Sequence, residues 1–211
     1  MKIERVLRKD DKNVAVYFEN GEKLILSEDT FYQSGLRKGD EISEDRFSFF
    51  IEQNILYHIK QKALTYIARR FHSEKELFIK LRQKAYDEKL IKLVLSDLKE
   101  KGFVDDRTFA SSFIEEKLRK KQWGRNKIKS ALFAKGVNQS AINDLFDSFF
   151  REESDFELAK QLAKKKLNQL IKRGTEQNKY YNKISAYLIS KGIDFETCRE
   201  VCSKLLKDDI N

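Results

Sequence analysis

The chain has 211 residues, with 43 Lys and Arg against 34 Asp and Glu for a formal charge of +9, 36% charged residues and no proline. No run approaches the roughly 18 uninterrupted apolar residues of a membrane span, and Met1-Lys2-Ile3-Glu4 does not open a signal peptide. Two late cysteines make no disulfide scaffold and two histidines leave little for metal or acid–base chemistry, so the composition points to a reduced, cytoplasmic binding protein that needs no cofactor and no membrane.

The first 45 residues carry a strand period. Val14, Val16 and Phe18 alternate with Ala15 and Tyr17, Asn20-Gly21 suits a type I′ turn, and Leu24 and Leu26 alternate on the return. Ile3 to Leu7 reads as another strand, and Gly35 to Ile42 as a turn-bounded last one. Such a β unit is too small to stand without packing on its neighbour.

From Phe47 the period becomes 3.6. Phe47, Phe50, Ile51, Ile55, Ile59, Ala63 and Ile67 keep one helix face apolar up to Arg69-Arg70. Ser73 to Glu76 then forms a capping box, in which the Ser73 hydroxyl accepts from the Glu76 amide.

An internal repeat follows. Leu81-Arg-Gln-Lys84-Ala85-Tyr86, Leu132-Phe-Ala-Lys135-Gly136-Val137 and Leu188-Ile-Ser-Lys191-Gly192-Ile193 align at intervals of 51 and 56 residues. Seven residues before each lysine stand Leu77, Ile128 and Ile184; seven after it stand Ile91, Ile142 and Cys198. Leu95, Phe146 and Cys202 follow at eleven, and Leu98, Phe149 and Leu205 at fourteen. Each copy ends a helix at Ala85, Gly136 or Gly192 and starts the next at Asp87, Asn138 or Asp194. Longer leading helices are expected over 47–70, 106–121 and 155–173.

The fold class expected is mainly α: three tandem three-helix, helix-turn-helix-like repeats forming an elongated curved rod, preceded by a small N-terminal β unit. The boundaries are 1–46 for the β unit and 47–104, 105–152 and 153–211 for the repeats.

Charge is unevenly spread. Residues 1–52 hold 9 Lys and Arg against 12 Asp and Glu, whereas the remainder carries a net +12. Arg107, Lys117, Arg119, Lys120, Lys121, Arg125, Lys127, Lys129 and Lys135 face only Glu115 and Glu116 over residues 107–137. Such a field attracts phosphate backbones or acidic protein surfaces. The candidate basic face comprises Arg69, Arg70, Lys80, Arg82 and Lys84 in the first repeat and Lys117, Lys120, Lys121, Arg125, Lys127 and Lys129 in the second. Lys164 and Lys165 extend it into the third.

Other chemistry-bearing residues have plainer readings. Asp105-Asp106 stands at a helix start, where carboxylates cap free amides. Cys198 and Cys202 occupy core columns of the repeat, so they pack rather than bind metal. Trp123 is positioned either to stack a base or to plug the joint between helices, and the plug is the reading preferred. No glycine-rich phosphate loop is present, and no catalytic set emerges.

The run Ala63-x-x-Tyr66-Ile67-x-x-Arg70-x-x-Ser73-x-x-Glu76-Leu77-x-x-x-Leu81-x-x-Lys84 resembles the opening unit of the RecX family, regulators of the RecA recombinase. Leu98-x-x-x-Gly102-Phe103-Val104-Asp105-Asp106-x-x-Phe109-Ala110 is similar to that family's most distinctive run, and Gly124-x-x-x-Ile128-x-x-x-Leu132-x-x-Lys135-Gly136-Val137 to its second unit. Ala85 departs from the glycine usual there. The resemblance implies a non-enzymatic modulator that binds RecA and its filament on single-stranded DNA, with weaker affinity for duplex DNA. It implies restraint of RecA ATPase, strand exchange and the co-protease activity behind the SOS response in recombinational repair. The rod itself suggests a monomer. Two rivals remain open from the residues alone: a helix-turn-helix DNA-binding protein acting without RecA, and a protein-only scaffold whose basic face serves solubility.

Overall fold

The computed structural model describes residues 1–150 and 152–208, apart from the side chains of Lys121, Glu152, Glu153, Ser154 and Asp208. It divides into two compact units, Met1–Arg70 with Leu77–Val104, and Phe71–Glu76 with the chain from Asp105 onward.

In the first unit, β1 (Ile3–Arg8), β2 (Asn13–Phe18) and β3 (Lys23–Ser27) form an antiparallel sheet in that order, with Val16 opposite Val6 and Leu24. The hairpin differs from the expected type I′ turn. Only Gly21 is left-handed, at φ 84°, and the Phe18 amide donates to the Glu22 carbonyl at 3.0 Å. A three-residue loop ending in a left-handed glycine matches the strand twist equally well, and Asn20 contributes by accepting the Glu22 amide at 3.1 Å.

Gly35 to Ile42 does not form a strand. The turn closed by the Arg37 amide on the Asp40 carboxylate takes up its first part, and only its end pairs with the chain start. There the Ile3 amide donates to the Asp40 carbonyl at 2.8 Å and the Ile42 amide to the Met1 carbonyl at 2.9 Å, about a single Lys2–Glu41 bridge. Before it lies a helix that the strand reading overlooked, α1 (Glu28–Ser34). Ser27 caps it by accepting the Thr30 amide at 3.1 Å, Glu28 and Asp29 occupy its first turn, and left-handed Gly35 ends it.

The long helix α2 (Glu44–Ile67) starts at Ser43, whose hydroxyl accepts the Arg46 amide. Its first turns bury Phe50 against Ile3, Phe18, Leu26 and Ile42, and this packing supplies the support that an isolated three-stranded sheet lacks. Asn54 pins the sheet edge, accepting the Ser27 amide at 2.8 Å and donating to the Ile25 carbonyl at 2.9 Å. Ile51, expected on the buried face, is exposed instead. Farther along, Ile59 and Ala63 are fully buried with Leu77 and Leu81 of α3 (Glu74–Arg82) and Ile91, Leu95 and Leu98 of α4 (Glu88–Glu100).

In the second unit, α5 (Asp106–Glu116) runs into a π-helical turn, Lys117–Lys121, and is followed by α6 (Arg125–Ala134) and α7 (Gln139–Phe149). Then come α8 (Glu152–Lys172), a 3-10 turn at Gln177–Lys179, α9 (Tyr180–Lys191) and α10 (Phe195–Asp208). The aligned columns are the cores. Leu77, Ile128 and Ile184, then Leu81, Leu132 and Leu188, then Ile91, Ile142 and Cys198 are all at 0% exposure. Each such aliphatic contributes about 1.5–3 kcal/mol on burial, which accounts for an apolar column recurring in every copy.

The connecting turns use one device three times. Ala85, Gly136 and Gly192 are left-handed at φ 61°, 87° and 91°. The next helices are capped by Asp87 on the Lys89 and Leu90 amides, Asn138 on Ala141 and Asp194 on Thr197.

Candidate nucleic-acid interface

Within the second unit the repeats are joined end to end. The amide of Gly124 donates to the Lys191 carbonyl at 2.8 Å and that of Asn126 to the Gly192 carbonyl at 3.2 Å. Unsatisfied amides at the start of α6 therefore meet unsatisfied carbonyls at the end of α9. The lead into α3 is bound to the end of α6 in a related way. Ser73 donates its hydroxyl to the Lys135 carbonyl at 2.7 Å while accepting the Glu76 amide, and the Glu76 carboxylate takes the Lys135 ammonium. Asp105 caps its own helix, accepting the Arg107 amide and the Thr108 hydroxyl, whose hydrogen bond holds its carboxyl below the usual range. Asp106 reaches across to accept the Glu74 amide at 2.8 Å, so the acidic pair caps two different helices.

These joints engage several of the basic residues selected from sequence. Lys127 donates to the Ser190 carbonyl at 2.7 Å and lies 4.8 Å from the Trp123 ring centroid. Arg125 donates to the Phe150 carbonyl at 3.3 Å and pairs with Asp155 at 3.4 Å. Burial raises the Asp155 carboxyl above its ordinary range, and the Arg125 charge opposes that rise. Lys117 turns inward: its side chain is only 16% exposed, it pairs with Glu116, and it sits over the Phe113 and Trp123 rings. Trp123 itself is half-buried on the second repeat's core, edge-on to Phe113, as a joint plug should be.

In the first unit, Lys80 lies over the Tyr66 ring at 4.9 Å and Arg82 pairs with Glu88 at 3.2 Å. Arg69, Arg70 and Lys84 are exposed there; Lys120, Lys129, Lys164 and Lys165 are exposed in the second unit. The Lys121 side chain lies outside the described residues. Arg119, in the basic run but outside the candidate face, is also exposed, within the π turn beside Lys120. No residue pattern in the sequence distinguishes a π turn from an α turn, so periodicity extended α5 as one helix to 121.

Cys198 and Cys202 are fully buried free thiols. Burial pushes the Cys198 thiol up to about 12. Among the described residues, no group of three or more His, Cys, Asp or Glu side chains is placed to hold a metal ion, and no helix is long and apolar enough to cross a membrane.

Residues 60–98, 105–145 and 152–202 match, in order, the first, second and third three-helix domains of RecX. The chain belongs to the RecX family. Regulatory protein RecX of Clostridium acetobutylicum is 32% identical over 209 residues, spanning 99% of this chain and 96% of that one. The RecX of Clostridioides difficile is 33% identical over 208 residues, with 99% and 96% covered. A crystal structure of regulatory protein RecX superposes with a TM-score of 0.75 across 95% of this chain and 98% of that chain at 22% identity. RecX from Lactobacillus salivarius gives 0.61 across 72% and 97%, also at 22% identity. The shared fold is three RecX helical domains, here with a three-stranded sheet before them. Within the RecX domains the joint residues Ser73 and Gly124 fall on the family-like runs, as do the exposed cations Arg70 and Lys84, whereas Lys120, Lys164 and Lys165 lie outside those runs.

Proposed function

We propose that this chain binds RecA and RecA–single-stranded-DNA filaments and restrains their ATPase, strand-exchange and co-protease activities in recombinational repair and the SOS response. It acts as a non-enzymatic, cytoplasmic monomer without a cofactor. The observation that carries the reading is the division of the cations within a RecX fold. Lys117, Arg125 and Lys127 hold the protein together, while Arg69, Lys84, Lys120, Lys129, Lys164 and Lys165 project into solvent. Exposed lysines attract phosphates as point charges and release condensed counterions when they do so. The preference for single-stranded over duplex DNA belongs to the reading through the RecX family and not to the cations, since phosphate attraction alone does not favour the single strand.

The test is anisotropy of a fluorescein-labelled oligonucleotide, bare and coated with RecA, titrated with the protein at several salt concentrations. Log affinity for bare single strands should fall with log salt at a slope near roughly −0.7 per phosphate contacted. A flat salt response removes the phosphate contacts from the account. Equal binding with and without RecA returns the protein to a DNA binder acting alone.

A further inference from the structure

Helix α6 turns to solvent a face that neither the joints nor the cores use. Asn126, Lys129, Ser130 and Phe133 are all exposed and stand at i, i+3, i+4 and i+7, so they form one stripe, away from buried Ile128 and Leu132. The fold does not require a ring in this stripe. Two residues before the aligned lysines stand Arg82, Phe133 and Ile189, all three exposed, and only the second repeat is aromatic there.

A single exposed phenylalanine is ordinary on a protein surface, so its surroundings must decide what it does. Among the described residues the three most exposed Phe and Tyr side chains are Tyr32 at 70%, Phe195 at 69% and Phe133 at 64%. Tyr32 lies on α1, which carries Glu28 and Asp29 and no cation, and Phe195 stands between Asp194 and Glu196. Phe133 differs: α6 carries Arg125, Lys127 and Lys129 and no carboxylate. Helical side chains lean toward the N-terminus, so Phe133 leans over the turn that carries Lys129. An open ring beside an available ammonium suits a single strand, whose base stacks on the ring while its phosphate meets the cation. In a duplex the base faces are already stacked on their neighbours. The lysine therefore serves either form of DNA, and the ring serves only the unpaired one.

We propose that Phe133 stacks an unpaired base of single-stranded DNA while Lys129 holds an adjoining phosphate, and that this ring supplies the preference for single strands over duplex. Phe133 has this role only within the reading given above, in which the chain binds single-stranded DNA and the RecA filament on it.

The experiment compares Phe133→Ala, Phe133→Trp and Lys129→Met in the full-length protein, by anisotropy of fluorescein-labelled oligo-dT and of a labelled duplex of the same length. Phe133→Ala should lower oligo-dT affinity about tenfold, with duplex affinity, salt slope and circular dichroism unchanged. Phe133→Trp should restore the oligo-dT affinity. Lys129→Met should weaken both DNAs together and make the single-strand salt slope shallower by about 0.7. On the unaltered protein, irradiated oligo-dT carrying 5-iodouracil should crosslink to the α6 peptide, which keeps the test decisive whatever the variants do. If the unaltered protein binds oligo-dT, four results overturn the stacking role and leave the filament reading standing. These are no loss in Phe133→Ala, an equal loss on single strand and duplex, a tryptophan variant as weak as the alanine one, or crosslinks confined to other segments. A loss seen only on RecA-coated oligo-dT would also overturn it, since the ring would then face RecA. No affinity of the unaltered protein for oligo-dT would overturn the DNA contact and the stacking role together.

Discussion

The Gly124 amide donates to the Lys191 carbonyl at 2.8 Å, so the start of α6 completes the end of α9. This contact demands two glycines. A Cβ on Gly124 would stand 2.8 Å from the Gly192 carbonyl oxygen, and one on Gly192 would meet the Lys127 backbone nitrogen. Ala85, the corresponding turn residue of the first repeat, is left-handed too, but it is exposed.

The three turns therefore respond differently to substitution. Gly192→Ala should destabilise by about 2–4 kcal/mol, from left-handed strain plus a clash against backbone that cannot give. Ala85→Gly should stabilise by up to about 1 kcal/mol, because it relieves the strain that alanine already carries at φ 61°. Urea denaturation of both variants measures the contrast.

Glu76 and Lys135 are half-buried partners, 15% and 30% exposed, and their pairing ties the lead of α3 to the end of α6. A double-mutant cycle with Glu76→Gln and Lys135→Met should return a coupling of about 1–2 kcal/mol. Exposed Lys204 and Glu200, paired at 2.7 Å on α10, should return no more than about 0.5 kcal/mol in the same experiment.

Charge reversal separates structural from available cations. Replacing Lys120, Lys129, Lys164 and Lys165 by Glu should leave helicity and melting nearly unchanged and lower single-stranded-DNA affinity at least tenfold. Reversing Lys117 and Arg125 should lower the melting temperature, since it sets a second carboxylate beside Glu116 and strands the half-buried Asp155. Reversing Lys117, Lys120, Lys121 and Arg125 together, the choice that sequence alone suggests, would mix the two effects.

The repeat made the cores legible before any coordinates, because burial of Leu81, Leu132 and Leu188 imposes the same residue type at the same interval. The caps at Asp87, Asn138 and Asp194 were legible for a similar reason: short-range hydrogen bonding selects the residue. Helix α1 was missed although Ser27-Glu28-Asp29 is a start signal, since strand alternation on either side dominated the reading. The fate of each cation was not legible. Lys127 and Lys129 are alike in sequence, and only the approach of Ser190 and Trp123 consumes one and leaves the other in solvent.

Cys198 should resist alkylation. With its thiol raised to about 12 by burial, iodoacetamide at pH 8 should label it only after denaturation. The sign of its pH dependence follows. The unfolded thiol ionises near its ordinary value while the folded one stays protonated, so this contribution to stability is complete below about pH 8.5 and declines as the pH rises toward 12. Urea midpoints of Cys198→Ala and the unaltered protein at pH 8 and pH 10 measure it, the unaltered protein losing more between the two.

The most direct measurement is the single-stranded-DNA-dependent ATPase of the cognate RecA, titrated at fixed salt with the unaltered protein and with the Lys120, Lys129, Lys164 and Lys165 reversal. Progressive inhibition by the unaltered protein, displaced at least tenfold to higher concentration by the reversal, is the expected result. An ATPase untouched by either protein, with no RecA binding in a parallel pull-down, would contradict the account.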